Sequence, residues 1–457
     1  MTNFKKIFYF EWLKFKNDKT ALAAILLTLV CGLYSIYYGV SEIKQQEVNI
    51  QKLQVMKDKT IEEMKEKFPD NNLAAEMPYY LYLPAVNIPD PLASLSIGQR
   101  DINPYYIKLR LLALESQLYD SDNINPMKAS VGNFDFSFIL IFLFPLIIIA
   151  LSFNVLSYEK ENGILPMILS NPVKLLTFIA TKLFFRFTLM LTTGWMLLII
   201  GYAASGAAFD SRFFIWVMII CLYISFWFAL SFFVVSFKKS SSFNSTALLA
   251  SWLWLMVIIP AGLNAVMNFQ FQSESGVNFT INQREAVHSG WDKSMEESLI
   301  PFFVKYPQYK DFKPASRDFS YGWYYAFQEL GDMSVEKEVK EHTDSQKGKA
   351  QFTRTFDFLS PGVNVQNMVN ALAATDLSTH LEFLDSARDF HKRMKEFFFP
   401  YVFTEAGFPH GDYKKLPTQS FQGQADLSHL GSGIFKLLLS SIVLLGLGIM
   451  ILRRKPN

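Results

Sequence analysis

Cysteine is nearly absent from this chain, which has only Cys31 and Cys221 among its 457 residues. Both lie inside apolar runs, so the sequence predicts no disulfide framework. Charged residues are also scarce, at 18%, and the formal net charge is only +2. A charge so close to neutral gives no indication of a nucleic-acid or a strongly acidic partner, and we expect no nucleic-acid partner.

The sequence motifs that mark nucleotide binding or hydrolysis are missing as well. The phosphate-loop pattern G-x-x-x-x-G-K-[ST] is not found, because "SQKGKAQ" at 345–351 lacks the first glycine. G-x-S-x-G, H-E-x-x-H and C-x-x-C are not found either. We therefore expect no catalytic residues and no cofactor in this chain, and any ATP site would belong to a partner.

Histidine is confined to one part of the chain, between residues 269 and 431. Two of the histidines, His380 and His391, share a predicted helix face, but 11 positions place them about 16 Å apart. Ligands of one zinc ion lie within about 2 Å of it, so these two cannot share an ion. We predict no metal site. The full set is His288, His342, His380, His391, His410 and His429.

Apolar residues, in contrast, are abundant, at 51% of the chain with 44 phenylalanines. Six runs of about 20 residues or more are long enough to cross a bilayer core of about 30 Å. They are 20–40, 134–157, 178–204, 213–237, 246–268 and 433–452. The ionisable residues near their ends are expected to snorkel to the interface; these are Asp135, Lys182, Arg186 and Lys436. The predicted fold class is an all-α polytopic membrane protein.

The distribution of Lys and Arg predicts the orientation of these spans. Basic residues concentrate in 1–19, 158–177 and 453–457, which are therefore assigned to the cytoplasm. Both termini are then cytoplasmic, and 41–133 and 269–431 are extracytoplasmic. The first apolar run is too long for a signal-peptide core and lacks a small-x-small cleavage site, so we expect a retained signal anchor.

Residues 1–19 mix aromatic residues with lysines, which predicts an interfacial amphipathic helix. Simple aromatic flanking of the first span is the alternative.

Segment 41–67 lacks Gly and Pro and predicts a helical stalk that continues the first span. The Pro-rich segment 69–91 is expected to be irregular, and 102–118 to form a second helix.

The larger insertion contains one clear helical pattern, residues 374–400. Thr375 or Asp376 is the expected cap, and Pro400 the expected end. Its predicted buried face consists of Phe383, Ala387, Phe390, Met394 and Phe397. Because both insertions are fixed to the same membrane surface and are rich in aromatic residues, we expect them to pack into one mainly helical extracytoplasmic domain.

The short segment "SYEKENGILPMILSNPVK" at 157–174 has an unusual pattern for a loop between two spans. Its apolar residues predict a stub of helix, with Pro166 in the first turn and Asn171-Pro172 as the stop. Glu159 and Glu161 introduce the stub, and Gly163 provides a hinge. Such an apolar knob fits a cleft on another cytoplasmic protein; the alternative is a re-entrant kink that packs on its own bundle.

The extended segment "LSYEKENGILPMILSNPVKLLTFIATK" resembles the cytoplasmic loop of type-2 ATP-binding-cassette (ABC) exporter permeases. The family pattern is a Glu, a Gly, an apolar stub, a Ser-x-Pro stop and a Lys that opens the next span. Here these are Glu159 or Glu161, Gly163, 164–169, Ser170-Asn171-Pro172 and Lys182. Ile164 stands where the family usually has Thr, and Pro166 interrupts the stub.

Two longer segments resemble an uncharacterised bacterial permease family with large insertions after spans one and five. They are "NPMKASVGNFDFSFILIFLFPLIIIALSFNVLSYEKENG" and "FDFLSPGVNVQNMVNALAATDLSTHLEFLDSARDFHKRMKEFFFP". The resemblance implies that the stub is a coupling helix received by a separate cytoplasmic ATPase subunit, which would hold ATP and Mg²⁺. The implied coupling residues are Glu159, Lys160, Glu161, Gly163, Ile164, Leu165, Met167, Ile168, Leu169 and Pro172.

The same resemblance implies a dimer with a second permease copy or a paralogue, in which spans two and five line the centre. Polar residues of these spans are candidates for a path or a dimer interface, and ordinary interhelical hydrogen bonding is the alternative. They are Ser152, Asn154, Ser251, Trp252, Asn264 and Asn268.

Three classes of function follow from these features. The first is an exporter permease, for which the aromatic, nearly uncharged lining favours an amphipathic or lipid-like substrate. The second is a mechanotransmission permease that relays ATPase motion to the extracytoplasmic domain or to an accessory protein. The third is a polytopic membrane enzyme or sensor. A lined cavity favours the first class, a tightly packed dimer centre the second, and an outward cleft with converging titratable groups the third. Membrane lipid is an expected partner in each.

Overall fold

The computed structural model describes residues 3–119, 134–272, 276–314 and 318–454. Within these ranges, six helices are long and apolar enough to cross a membrane. They are TM1 (Lys19–Lys67), TM2 (Phe136–Glu161), TM3 (Leu175–Ser205), TM4 (Ser211–Val235), TM5 (Ser241–Gln270) and TM6 (Leu430–Arg453). Each predicted span lies largely within one of these helices. The chain is a multi-pass, all-α membrane protein, which confirms the predicted fold class.

The remaining helices and strands lie outside these six membrane helices. The helices are α1 (Asn3–Asn17), α2 (Met77–Tyr80), α3 (Leu114–Tyr119), α4 (Leu165–Leu169), α5 (Gly276–Ser289), α6 (Met295–Lys305), α7 (Tyr321–Ser334), α8 (Glu336–Phe356), α9 (Pro361–Leu372) and α10 (Leu377–Phe403). The strands are β1 (Asn72–Leu73), β2 (Leu83–Ile88), β3 (Tyr106–Leu109), β4 (Gly407–Phe408) and β5 (Phe421–Gln422).

TM1 continues without a break for 49 residues, so it forms both a membrane span and the predicted stalk. Asp18 caps its start, where the carboxylate accepts hydrogen bonds from the backbone N–H groups of Thr20 and Ala21, each at 3.1 Å. Beyond Gly39 the helix contains neither Gly nor Pro, so nothing in the sequence interrupts it before Phe68. The stalk prediction is confirmed.

Two membrane helices contain a π-helical turn. In TM2 this turn covers Ile139–Leu143, and in TM5 it covers Trp254–Ile258. Each turn is followed within two residues by a proline, Pro145 or Pro260. Because proline has no N–H and its ring clashes with the preceding turn, a local widening of the helix relieves the conflict.

The membrane core is centred on TM4, whose Trp216, Tyr223 and Trp227 are fully buried. TM4 packs against TM3 and TM6. TM5 is peripheral, with only 11% of its most apolar window buried inside the protein. Most of the TM5 surface is therefore available to lipid or to another membrane protein.

The described parts of the two insertions, 41–119 and 276–429, form one domain, referred to below as the insertion domain. They share a hydrophobic core in which Leu109 and Leu114 of the first insertion meet Phe302 and Phe390 of the second. β2 pairs with β5 in parallel, and β1 pairs with β4 antiparallel, so both pairings join the two insertions. The expectation of one mainly helical domain agrees with this packing.

Two local predictions for the first insertion are wrong. Segment 102–118 is not one helix, because β3 pairs antiparallel with β2 and only α3 is helical. In β3, Ile107 and Leu109 are buried while Lys108 is exposed, which is the alternation of a strand. Segment 69–91 is more regular than expected, since it contains β1, α2 and β2.

Helix α10 forms as predicted at its start but not at its end. Asp376 caps it by accepting a hydrogen bond from the N–H of Thr379 at 3.1 Å. Of the five residues of its predicted inner face, four are fully buried and Phe397 is half-buried. The helix runs past Pro400 to Phe403, whose ring stacks on Phe302 at 4.7 Å between centroids. This packing outweighs the loss of one backbone hydrogen bond at the proline.

The six spans divide the loops between two sides of the membrane. On the insertion side, the loop between TM3 and TM4 contacts the first insertion through Arg212 Nη1 and Asp90 Oδ2, 2.8 Å apart. The opposite side, called the α1 side below, holds α1, the loop 162–174, the turn 236–240 and the end of TM6.

Candidate functional site at the loop between TM2 and TM3

The loop between TM2 and TM3 contains the predicted stub of helix, α4. Gly163 precedes it with φ of +69°. In this left-handed backbone conformation a residue with a Cβ is strained, whereas glycine is not. Pro166 occupies the first turn of α4, where its missing N–H costs nothing. The helix ends at Leu169, and the backbone N–H of Ser170 donates to the carbonyl of Pro166 at 3.0 Å. The sequence pattern thus predicted this local structure.

Helix α4 has an outer face that is exposed in the described structure. Met167 is 69% exposed and Leu169 is 42% exposed. Ile164, Leu165 and Ile168 are half-buried, and the last two pack against the membrane core. In the described structure no residue of α4 is buried. The stub therefore projects from the α1 side and leaves an apolar surface open, unlike a kink packed into its own bundle.

The residues just before α4 attach the loop to the start of TM5. The two carboxylate oxygens of Glu161 accept from the backbone N–H of Ser241 at 2.7 Å and from its hydroxyl at 2.8 Å. A carboxylate at a helix N-terminus is stabilised by the helix dipole. Lys160 Nζ donates to the carbonyl of Lys238 at 2.9 Å. Movement of this loop is thereby linked to TM5.

Glu159 lies inside the protein, where it is 8% exposed. Its Oε1 accepts from Lys182 Nζ at 2.7 Å and lies 3.5 Å from Lys14 Nζ. Glu11 Oε1 is 3.5 Å from Lys182 Nζ, and Glu11 Oε2 is 3.6 Å from Arg186 Nη2. These five residues are called the ionic cluster below. They join α1, the end of TM2 and the start of TM3.

The expectation that ionisable residues near span ends snorkel to water is wrong for Lys182, whose side chain is 1% exposed. Lys436 instead donates to Asp357 Oδ1 at 2.7 Å, and Asp135 is buried and accepts from the N–H of Ile97 at 2.8 Å.

Glu11 was not singled out from the sequence. The available signal was that it is the only acidic residue in α1, a helix otherwise rich in lysine and aromatic residues.

The polar residues proposed for a path or a dimer interface are not brought together in one chain. Ser152 is buried, and its hydroxyl lies 2.8 Å from that of Ser231 in TM4, an interhelical hydrogen bond. Asn154 is half-buried and lines a cavity beside α1. In TM5, Ser251 is half-buried, and its hydroxyl donates to the carbonyl of Ala247 at 2.8 Å.

Three further residues of TM5 are left without good partners. Trp252 Nε1 is buried and makes no hydrogen bond to the described residues. Asn264 and Asn268 are exposed, and their side chains approach each other only at 3.5 Å. Polar side chains within membrane helices normally face protein or a water-filled space, because their exposure to lipid is costly. This face of TM5 therefore carries polar groups that lipid tails cannot satisfy.

The insertion domain holds a second buried ionic group. Glu329 accepts from Lys305 Nζ at 2.7 Å, from Tyr306 OH at 3.0 Å and from Lys395. Burial raises the pKa of Glu329, but the ammonium groups of Lys395 and Lys305 outweigh this and lower it to about 2. Asp332, which accepts from the N–H of Leu114 at 2.6 Å, has its pKa raised by burial to about 6.

His391 lies next to this group. Its Nε2 is 3.0 Å from the carbonyl oxygen of Arg110, and burial, together with the nearby Lys395, lowers its pKa to about 3. These titratable groups satisfy one another and tie the first insertion to the second. Among the described residues, no group of three or more His, Cys, Asp or Glu side chains is placed to hold a metal ion.

A sequence family described as a domain of unknown function (DUF3526) matches residues 278–422. The match begins in α5 and ends in β5, so it covers most of the second insertion but neither the loop with α4 nor any membrane span. No curated protein and no solved structure matches the chain.

Proposed function

We propose that this protein is the membrane-spanning permease subunit of an ABC transporter that exports an amphipathic or lipid-like substrate. The observation that carries the proposal is the exposed apolar face of α4, formed mainly by Met167 and Leu169. It projects from a loop that is held to three membrane helices. A separate ATPase subunit would receive this face, because this chain has no phosphate-binding loop of its own.

The same proposal places the α1 side in the cytoplasm of a bacterial cell, with the protein in the cytoplasmic membrane. Lys and Arg residues flank the spans on that side, as expected for a cytoplasmic surface. On the insertion side, the short loop between TM3 and TM4 offers Arg212 alone. The insertion domain is then extracytoplasmic, where an accessory protein can contact it.

Force applied to α4 has two direct routes into the membrane. Glu161 transmits it to TM5 through the Ser241 backbone and hydroxyl. Glu159 transmits it to TM3 through Lys182, and from there to α1 through Glu11. The contacts of Glu161 with Ser241 and of Glu159 with Lys182 are hydrogen bonds of 2.7–2.8 Å, and Glu11 lies 3.5 Å from Lys182.

A second permease, either another copy or a paralogue, is proposed to cover TM5. The exposed amides of Asn264 and Asn268 lie on the least buried of the six helices. A protein partner supplies hydrogen bonds that lipid tails cannot. The closure of two ATPase subunits would then rotate the two permeases against each other and open a path between them.

The experiment is purification of the full chain from its native membranes with its nucleotide-hydrolysing subunit. Met167→Asp and Leu169→Asp put a charge on the outer face of α4, and we expect at least a tenfold loss of the bound ATPase and of its ATP turnover. The control is Ile300→Asp, since Ile300 is 65% exposed but lies in the insertion domain. Unchanged ATPase binding and turnover in both α4 variants would contradict the proposal.

Mechanotransmission is the second candidate, and the continuity of TM1 favours it. A single helix of 49 residues connects the α1 side to the insertion domain. Lys52→Pro, at an exposed stalk position, breaks that helix outside the membrane. If the protein relays motion, ATP hydrolysis by the ATPase subunit should no longer change the conformation of the insertion domain in this variant. If the protein is an exporter, the variant should still transport substrate.

A further inference from the structure

A cavity of about 590 Å³ lies between α1, TM1, TM2 and TM3 on the α1 side. Its volume is in the range of sites that bind small molecules, about 300–1,000 Å³. The ionic cluster forms much of one wall, through Glu11, Lys14, Lys182 and Arg186. The cavity belongs to a single chain, so it does not depend on the proposed partner subunits.

The cavity has a charged end and an apolar end. The charged end is formed by Asp18 and by four residues of the ionic cluster, Glu11, Lys14, Lys182 and Arg186. Ala24, Ala150 and Leu189 also line the cavity and lie deeper along TM1, TM2 and TM3. Along TM3, the step from Lys182 to Leu189 is seven residues, or about 10 Å. A ligand that fills this space must therefore be polar at one end and apolar at the other.

Arg186 is the least well paired member of the ionic cluster. Its Nη1 is buried and makes no hydrogen bond to the described residues. The nearest carboxylate oxygen, Glu11 Oε2, is 3.6 Å from Nη2, beyond normal hydrogen-bond length. A guanidinium does not lose its proton in proteins, so it cannot escape this cost by becoming neutral. A buried unsatisfied donor is unfavourable. Other atoms of Arg186 line the cavity, so a rotation of its guanidinium would bring Nη1 to an oxyanion bound there.

The other charges of the site are already engaged or are exposed. Lys182 is paired with Glu159 at 2.7 Å, and Lys14 is close to the same carboxylate at 3.5 Å. Asp18 uses Oδ1 to cap TM1 and is itself exposed at the cavity rim. The wall thus offers one buried unsatisfied cation, Arg186, and acidic groups at Glu11 and Asp18. This arrangement matches a phosphate with an ammonium group attached to it.

We infer that the cavity binds the head group of a membrane phospholipid, with its phosphodiester at Arg186 and its acyl chains directed toward Ala24 and Leu189. Guanidinium groups bind phosphate through paired, charge-assisted hydrogen bonds. The cavity lies beside the amphipathic helix α1 and the first turns of TM1, and an interfacial helix lies at the depth of lipid head groups. A free phosphate compound shares the head-group chemistry but leaves the apolar end empty.

The test is native mass spectrometry of the full chain, delipidated in detergent and titrated with phosphatidylethanolamine. We expect one lipid to bind first, and Arg186→Gln to weaken that binding by tenfold or more. Ala24→Phe fills the apolar end without changing any charge and should abolish binding. The control is Arg453→Gln, because Arg453 is an exposed basic residue on the same side of the membrane. This variant should bind lipid as the wild-type protein does.

A second titration uses glycerophosphoethanolamine, the same head group without acyl chains, to separate the two sources of phosphate. The inference is overturned if this soluble compound binds as well as the lipid does, or if Ala24→Phe retains full lipid binding. Equal binding by wild type and Arg186→Gln, with both proteins folded by thermal unfolding, would also overturn it. If Arg186→Gln does not fold, the result with Ala24→Phe decides.

Discussion

Lys182 and Glu159 form a buried ion pair, with 2.7 Å between Nζ and Oε1, that joins the start of TM3 to the end of TM2. The pair lies at the base of the loop that carries α4. Helix α1 completes it with Glu11, so that three elements separated in sequence meet at one point. Glu159 therefore holds the base of the loop in place, whereas Met167 and Leu169 are exposed.

Lys182→Met should be strongly destabilising. It leaves Glu159 and Glu11 as buried carboxylates without their main cation, and breaking a buried pair typically costs about 3–5 kcal/mol. We expect a correspondingly large drop in the thermal midpoint of the purified protein in detergent. The exposed pair Lys65–Glu62, at 2.6 Å, provides the control. Lys65→Met should cost about 0.5 kcal/mol or less, and equal effects of the two variants would refute the role assigned to Lys182.

Gly163→Ala tests the turn before α4. With φ of +69°, this position forces an alanine into the left-handed region, at a cost of about 1–2 kcal/mol. No described atom lies within 4 Å of the added Cβ, so any loss comes from the backbone alone. The control, Gly262→Ala, is also in open space but lies within TM5, where alanine should add about 0.5–1 kcal/mol. A stability loss as large in Gly262→Ala would refute this explanation.

Arg388 joins the two insertions through a two-point contact with Glu115, at 2.9 Å from Nε and 3.0 Å from Nη2. Although burial lowers the pKa of Arg388, the Glu115 carboxylate raises it above its usual value overall. Arg388→Lys keeps the charge but loses one of the two hydrogen bonds, which should cost about 1.5–3 kcal/mol. Arg393→Lys, at an exposed position of the same helix, should change little. Hydrogen exchange in α3 and α10 is the measurement; similar protection in both variants would argue against the contact.

Two buried groups of the insertion domain should give opposite pH dependences. The pKa of His391 falls from 6.5 to about 3, so its contribution to stability is complete above pH 6.5 and is lost as the pH falls. The pKa of Asp332 rises from 3.8 to about 6, so its contribution is complete below pH 3.8 and is lost as the pH rises through 6. Between about pH 4 and pH 6 the two contributions oppose each other.

His391→Gln should therefore gain stability relative to wild type as the pH falls from about 6 to about 4, by about 1.4 kcal/mol per pH unit. Asp332→Asn should lose stability relative to wild type over the same range. Hydrogen-exchange protection of α10, compared between each variant and wild type at each pH, measures the difference. Parallel pH profiles for all three proteins would contradict the assignment.

Labelling with a membrane-impermeant maleimide checks the side on which α4 lies. In a variant with Cys31 and Cys221 replaced by Ser, Ser170→Cys should react only after the cells are permeabilised. Lys293→Cys, at an exposed position of the insertion domain, should react in intact cells. Reaction of Ser170→Cys in intact cells would place α4 outside and remove the basis for a cytoplasmic ATPase partner.

The spans, the stalk and the stub could be predicted because each depends on neighbouring residues. A long apolar run, a segment without Gly or Pro, and a proline after a glycine all act locally. Strand β3 was missed because its alternation covers only four residues, Tyr106–Leu109, and leucines at 111, 112 and 114 extend the apolar pattern with helix-like spacing. The pairing with β2, rather than local preference, decides its conformation.

The ionic cluster could not be predicted, because its members come from three segments far apart in the chain. Glu159 and Lys182 were noticed in the sequence, but nothing local indicates that they face each other, or that α1 covers them with Glu11. For the same reason the burial of Glu159, in contrast to the exposure of Met167, emerges only from the packing of the helices.

The continuity of TM1 has a mechanical consequence. Its portion beyond the membrane, residues 41–67, is about 40 Å long at 1.5 Å per residue, and it contains no Gly or Pro at which it could bend. Buried side chains such as Ile43 and Leu53 fix it to the insertion domain. A tilt of about 5° at the membrane would therefore displace the far end by about 3.5 Å, together with the insertion domain packed on it.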